Sequence, residues 1–179
     1  MSDNYDELSI GLEILKGDIL SLTNDFSMSF INSSLAGDYF VGPFDDSADA
    51  IDLLLAPHLL SRDSHEVAFQ SLYEFTNTTD SVLALRPNSD KLFIFVSDEE
   101  EQSPISVEIF KDWLDSYNEK IQLDVVTISI TESSECYHTN YDIGKRYNEL
   151  SNYYGKNYID ICSDWTGALA NSSFLVNLK

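Results

Sequence analysis

The stretch Leu92-Phe93-Ile94-Phe95-Val96-Ser97-Asp98-Glu99-Glu100-Glu101-Gln102-Ser103-Pro104 decides how the rest of the chain is read. Its first part is a continuous apolar run of strand length. An unbroken run, as opposed to an alternating one, predicts a strand covered on both faces. An acidic loop follows. Ser103 then stands as an N-cap with Pro104 at the first helical position, and Val107, Phe110, Leu114 and Tyr117 supply the buried stripe of the helix behind it.

The same alternation continues in both directions. Downstream, Val125–Ile130 reads as the next strand. Asn140 or Asp142 caps a helix with Ile143, Tyr147, Leu150 and Tyr154 inward, stopped by Gly155. Tyr158–Ile161 is a short strand, and Ser163 or Asp164 caps a last helix carrying Trp165, Ala168, Leu169 and Val176. Upstream, Leu8, Leu12, Leu15, Ile19 and Leu22 mark a helix that Gly11 and Gly17 weaken without breaking. Phe26–Ile31 alternates as a half-buried strand, and Asp38–Val41 reads as another that ends at Gly42-Pro43. Asp45-Asp46-Ser47 caps a short helix with Ala48, Ile51, Leu54 and Leu55, perturbed by Pro57. Asp63 and Glu66 stand at capping-box spacing before a helix with Val67, Ala68, Leu72 and Phe75.

Strands alternating with helices predict one α/β domain over residues 1–179. Its expected form is a three-layer sandwich, a mostly parallel central sheet with helices on both faces. The chain opens on a helix, whereas a doubly wound sheet usually begins with a central strand. A first strand is therefore expected to be missing.

Composition sets the outer limits. The 179 residues hold 10 Lys and Arg against 31 Asp and Glu, a formal charge of −21 with a pI of about 4.1. A hydrophobic share of 43% excludes a disordered acidic tail despite that charge. A mean hydropathy of −0.18 with no long apolar run excludes a membrane span. Direct nucleic-acid binding is not expected, because phosphate neutralisation needs Lys and Arg. Divalent cations, basic partners and mimicry of DNA all remain open. The opening Met1-Ser2-Asp3-Asn4-Tyr5-Asp6-Glu7 has neither a basic nor an apolar leader region, so no signal peptide is expected in this chain, although a longer parent could be exported.

Adjacent carboxylates at the carboxyl end of a buried strand stand where open α/β sheets bind ligands. They repel one another unless solvent or a cation relieves them, and oxygen-only ligands suit Mg²⁺, Mn²⁺ or Ca²⁺. Asp98, the first acid off the strand, is the strongest candidate, with Glu99 beside it. For Glu99 to Glu101 the plainer reading is a solvated loop favouring the next helix N-terminus. His58, His65 and His138 have no metal-ligand spacing, and neither a phosphate loop nor a nucleophile elbow occurs.

The run from Leu92 to Pro104 resembles the strand and acidic loop of von Willebrand factor type A domains, whose fold is Rossmann-like. The resemblance implies a metal-ion-dependent adhesion site made by three loops. Asp98 matches the aspartate of the third. Ser64 in Ser61-Arg62-Asp63-Ser64-His65-Glu66 is the best hydroxyl for the second, with Asp63 or Glu66 assisting. The first loop, Asp-x-Ser-x-Ser followed by Met and an amphipathic helix, has no counterpart before the first helix, so Met1 resembles the Met that follows the motif. A literal match, Asp25-Phe26-Ser27-Met28-Ser29, is disfavoured, because Asp25, Ser27 and Ser29 lead into a strand and not a helix.

Cys136 and Cys162 both follow strands, so a disulfide tying those loops and two free thiols stand as equal readings. The lead expectation is a non-enzymatic protein-binding or adhesion module with an incomplete metal site, holding Mg²⁺, Mn²⁺ or Ca²⁺ weakly or not at all. An acidic decoy on a basic protein surface is the alternative. A metal-dependent hydrolase using Asp98 and Glu99 ranks last, since no Lys or His lies near them in sequence.

Overall fold

The computed structural model describes residues 5–35, 40–60, 65–117, 121–139, 142–156 and 158–170. The elements run α1 (Tyr5–Leu22), β1 (Met28–Ile31), β2 (Phe40–Phe44), α2 (Ala50–Leu59), α3 (Ala68–Phe75), α4 (Ser81–Ala84), β3 (Lys91–Ser97), α5 (Val107–Tyr117), β4 (Leu123–Ser129), a 3-10 turn (Glu135–Thr139), α6 (Lys145–Tyr153), β5 (Ile159–Asp160) and α7 (Trp165–Ala170). The fold is mixed α/β, with a small parallel sheet flanked by helices.

That sheet has the order β3-β4-β5. β3 and β4 pair in parallel along their whole length, from Lys91 opposite Leu123 to Ser97 opposite Ser129. β5 adds a short parallel rung at Ile128–Ile159 and Ser129–Asp160. β1 and β2 form a separate antiparallel hairpin. The β-branched residues of β4 suit a pleated, buried surface, and every residue from Asp124 to Ser129 is buried.

Alternation along β4 feeds two apolar clusters. Val126, Ile128 and Ile130 join Leu12 and Leu15 of α1 and Trp165 and Leu169 of α7. Val125 joins Phe95 of β3 with Phe69 and Leu72 of α3, Phe110 and Leu114 of α5, and Tyr147 and Leu150 of α6. Phe69 is its hub, stacked on Phe110 at 4.3 Å and edge-on to Phe95 at 5.7 Å. Such aromatic pairs add stability beyond their buried area.

Several helix starts differ from the sequence reading. α5 begins at Val107, where Ser106 Oγ accepts the Ile109 N–H at 3.3 Å, so Ser103 and Pro104 stand before it in the loop. α2 is capped by Asp49, whose carboxylate exchanges bonds with Asp52 in a capping box, and not by Asp45 to Ser47. α3 has Val67 at its N-cap position with no side-chain capping bond, in place of the box expected from Asp63 and Glu66, of which Asp63 lies outside the described residues. The cap position of α6 is Gly144, displacing Asp142, while Asn140 lies outside the described residues. β2 runs through Gly42 and Pro43 instead of ending there. α4 had no expected counterpart. Asp164 does cap α7, accepting the Gly167 N–H at 3.1 Å. Gly155 ends α6 with φ of +66°, a conformation that favours glycine. No helix among the described residues is long and apolar enough to cross a membrane.

Candidate functional site

The carboxyl ends of β3, β4 and β5 bring the notable polar groups together. β3 ends at Ser97, and Asp98 follows, only 6% exposed. Glu66 reaches the same place from the segment before α3. Ser97 Oγ lies 3.0 Å from Glu66 Oε2 and accepts the Glu99 N–H at 3.1 Å. Burial pushes the Glu66 carboxyl above its ordinary range, and the charges of Asp98 and Glu99 push it further, against hydrogen bonds from Ser97 and Ser33. Burial also raises Glu99, followed by the charges of Asp98 and Asp142. The Tyr147 phenol, wholly buried behind them, is raised strongly, by burial first and then by Glu66 and Glu101. It stays protonated at neutral pH.

The other acids of the loop serve the scaffold. Glu100 Oε2 accepts the Lys145 N–H and its Oε1 the Arg146 N–H, both at 3.1 Å, so a distant loop caps α6. The Glu101 side chain is fully buried and sits 2.8 Å from Arg146 Nη1. It accepts the Phe69 N–H at 3.3 Å at the start of α3 and the Ser103 N–H at 3.1 Å. Ser103 Oγ accepts the Gln70 N–H at 3.0 Å, so Ser103 caps α3 instead of α5. Arg146 also donates to the carbonyls of Glu101, at 3.0 Å, Ser103, at 2.7 Å, and Ile105. Burial raises the Glu101 carboxyl, while Ser103 and Arg146 act against that rise.

Hydroxyls extend this edge across β4. Ser129 Oγ donates to Asn148 Oδ1, and Thr131 Oγ1 donates to Asp160 Oδ2 at 3.0 Å. Gly144 is required for the close approach: a Cβ there would stand 2.7 Å from the Ser129 Cβ. Sequence reading missed Ser97, Ser129, Thr131, Asn148 and Asp160. The available signal was a hydroxyl or carboxylate at the end of each parallel strand.

Asp98, Glu66 and Glu99 are therefore brought to one edge. Ser64 and Asp63 lie outside the described residues. Asp25, Ser27 and Ser29 belong to the β1 segment instead. Asp25 is exposed and pairs with Arg86, while Ser27 and Ser29 have buried hydroxyl oxygens without a hydrogen-bond partner. Cys136 and Cys162 are joined as a disulfide, with Cα atoms 5.9 Å apart. Among the described residues, no three His, Cys, Asp or Glu side chains converge to hold a metal ion. Glu100 and Glu101 are committed to helix starts. No family model, no curated protein and no solved structure matches this chain.

Proposed function

We propose that this chain is a non-enzymatic protein-binding module of the von Willebrand factor A type, a three-layer sandwich with an incomplete divalent-metal site. One observation carries the reading: a strand paired in parallel with β4 along its whole length ends at Asp98, which is buried at the carboxyl edge near Glu66 and Glu99. Two of these acids have raised affinity for protons, from burial first and from the charges of their neighbours second. Such a group gains when a partner brings a cation, a hydrogen-bond donor or a metal ion to it.

The chemistry at this edge suits binding. Ser97 Oγ is held between the Glu66 carboxylate and the Glu99 backbone, which fixes the acids in position for a partner. The Cys136–Cys162 bridge suits an oxidising compartment, in keeping with an exported parent.

The test is to immobilise the chain and its Asp98→Asn variant against panels of surface and matrix proteins, with and without chelator. Melting curves would confirm that both are folded. The expected result is a partner whose affinity falls at least tenfold in the variant and changes little with chelator. Capture of DNA-binding proteins with steeply salt-dependent affinity, indifferent to Asp98, would favour the decoy and contradict the proposal.

A further inference from the structure

β1 and β3 belong to two sheets but contribute to the same two apolar clusters. Met28 and Phe30 of β1 and Leu92, Ile94 and Val96 of β3 all pack on the cluster that holds α1 and α7. Ile31 of β1 and Phe93 and Phe95 of β3 meet the cluster of α3, α5 and α6.

Contacts at both ends align the two strands in the same sense. At their carboxyl ends, the Val67 N–H donates to the Ser33 carbonyl at 2.7 Å, while neighbouring Glu66 bonds Ser97. At their amino ends, Arg86 pairs with Asp25, and its carbonyl accepts a bond from Lys91 Nζ at 3.1 Å. Yet β1 pairs only with β2, and β3 only with β4, among the described residues. Burial agrees with a missing neighbour. β4 is buried from Asp124 onward, whereas Leu92, Phe93, Ile94 and Val96 of β3, and all of β1, are only half-buried. Parallel strands are normally covered on both faces.

We propose that the space between β1 and β3 is an acceptor slot for one extended peptide strand donated by a partner polypeptide, running parallel to β3, apolar on both faces and followed by a basic residue. The strand would use the backbone edges of β1 and β3 that have no partner strand among the described residues. Both faces meet apolar clusters, so an unbroken apolar run fits better than an alternating one. The basic residue follows from the ends of the slot: Glu66, Asp98 and Glu99 surround the carboxyl end, while Arg86 and Lys91 stand at the amino end. The slot is independent of any metal at Asp98.

The test uses the native chain and varies only the peptide. The probe is a labelled synthetic peptide of Val, Ile and Phe residues in strand length ending in Lys. Binding is read by fluorescence anisotropy, and its place by amide hydrogen exchange. Saturable 1:1 binding is expected, with new protection in both Met28–Ile31 and Lys91–Ser97. Replacing the terminal Lys with Glu, or N-methylating alternate amides, should each weaken binding at least tenfold. No saturable binding, protection on only one of the two strands, equal binding by the N-methylated peptide, or self-association of the chain through these strands would overturn the proposal.

Discussion

Arg146 Nη1 stands 2.8 Å from Glu101 Oε2, and the Glu101 side chain is wholly buried while that of Arg146 is 23% exposed. The pair ties the acidic loop to α6, and Glu101 continues the tie to the first N–H groups of α3. Removing one member of a buried pair leaves the other charge without compensation. Arg146→Ala should therefore lower unfolding free energy by about 3 kcal/mol. Urea unfolding of the variant against the native chain measures this, and a loss below about 1 kcal/mol would reject a structural role for the pair.

Glu100 acts by capping, so its removal should be milder. Glu100→Ala leaves the Lys145 and Arg146 N–H groups at the start of α6 to water and should cost about 1 kcal/mol. Glu100→Gln keeps a carbonyl acceptor and should recover part of that loss. Both values come from the same denaturation series.

Glu66 should behave in the opposite sense at neutral pH. Its folded-state proton affinity is raised, so the folded chain holds this proton more tightly than the unfolded chain does. The resulting stabilisation is complete below the unfolded value of about 4.3 and is lost as pH rises through the folded one. Glu66→Gln should thus raise the melting temperature at pH 7 and lose that advantage below about pH 4. Asp98 and Glu99 face the same carboxylate and contribute to its repulsion. Melting curves across pH for both chains provide the check. A variant less stable than the native chain at pH 7 would mean that the Ser97 contact needs the charged form.

The disulfide closes a loop across a separation of 26 residues. On the chain-entropy scale this constrains the unfolded state by about 3.5 kcal/mol. Reduction, or replacement of Cys136 and Cys162 by Ser, should lower stability by a similar amount. Thermal unfolding with and without reductant measures it.

The strongly patterned elements were legible in the sequence. The run from Leu92 to Val96 became β3, and the β-branched run after Leu123 became β4, because both reflect burial that the residues themselves record. The stripe of α1 held at Leu8, Leu12, Leu15 and Ile19 despite Gly11 and Gly17, while Leu22 is exposed. Helix starts were less legible, for one physical reason. Sequence rules look for a capping residue beside the helix, yet α6 is capped by Glu100 and α3 receives Glu101 and Ser103, all from a loop distant in sequence. The acidic run was read as one cluster, but the fold separates it. Glu100 and Glu101 hold helices, while Asp98 and Glu99 remain with Glu66 at the sheet edge. The hydroxyls of Ser97 and Ser129 escaped notice because a single serine at a strand end has no periodicity to mark it.

The central claim is that Asp98, Glu66 and Glu99 form a protein-binding edge with too few ligands of its own to hold a divalent ion. Calorimetric titration of the native chain with Mg²⁺ and with Mn²⁺, beside Asp98→Asn, addresses it directly. The expected result is no saturation below about 1 mM in either chain. Stoichiometric binding at micromolar concentration, abolished by Asp98→Asn, would contradict it.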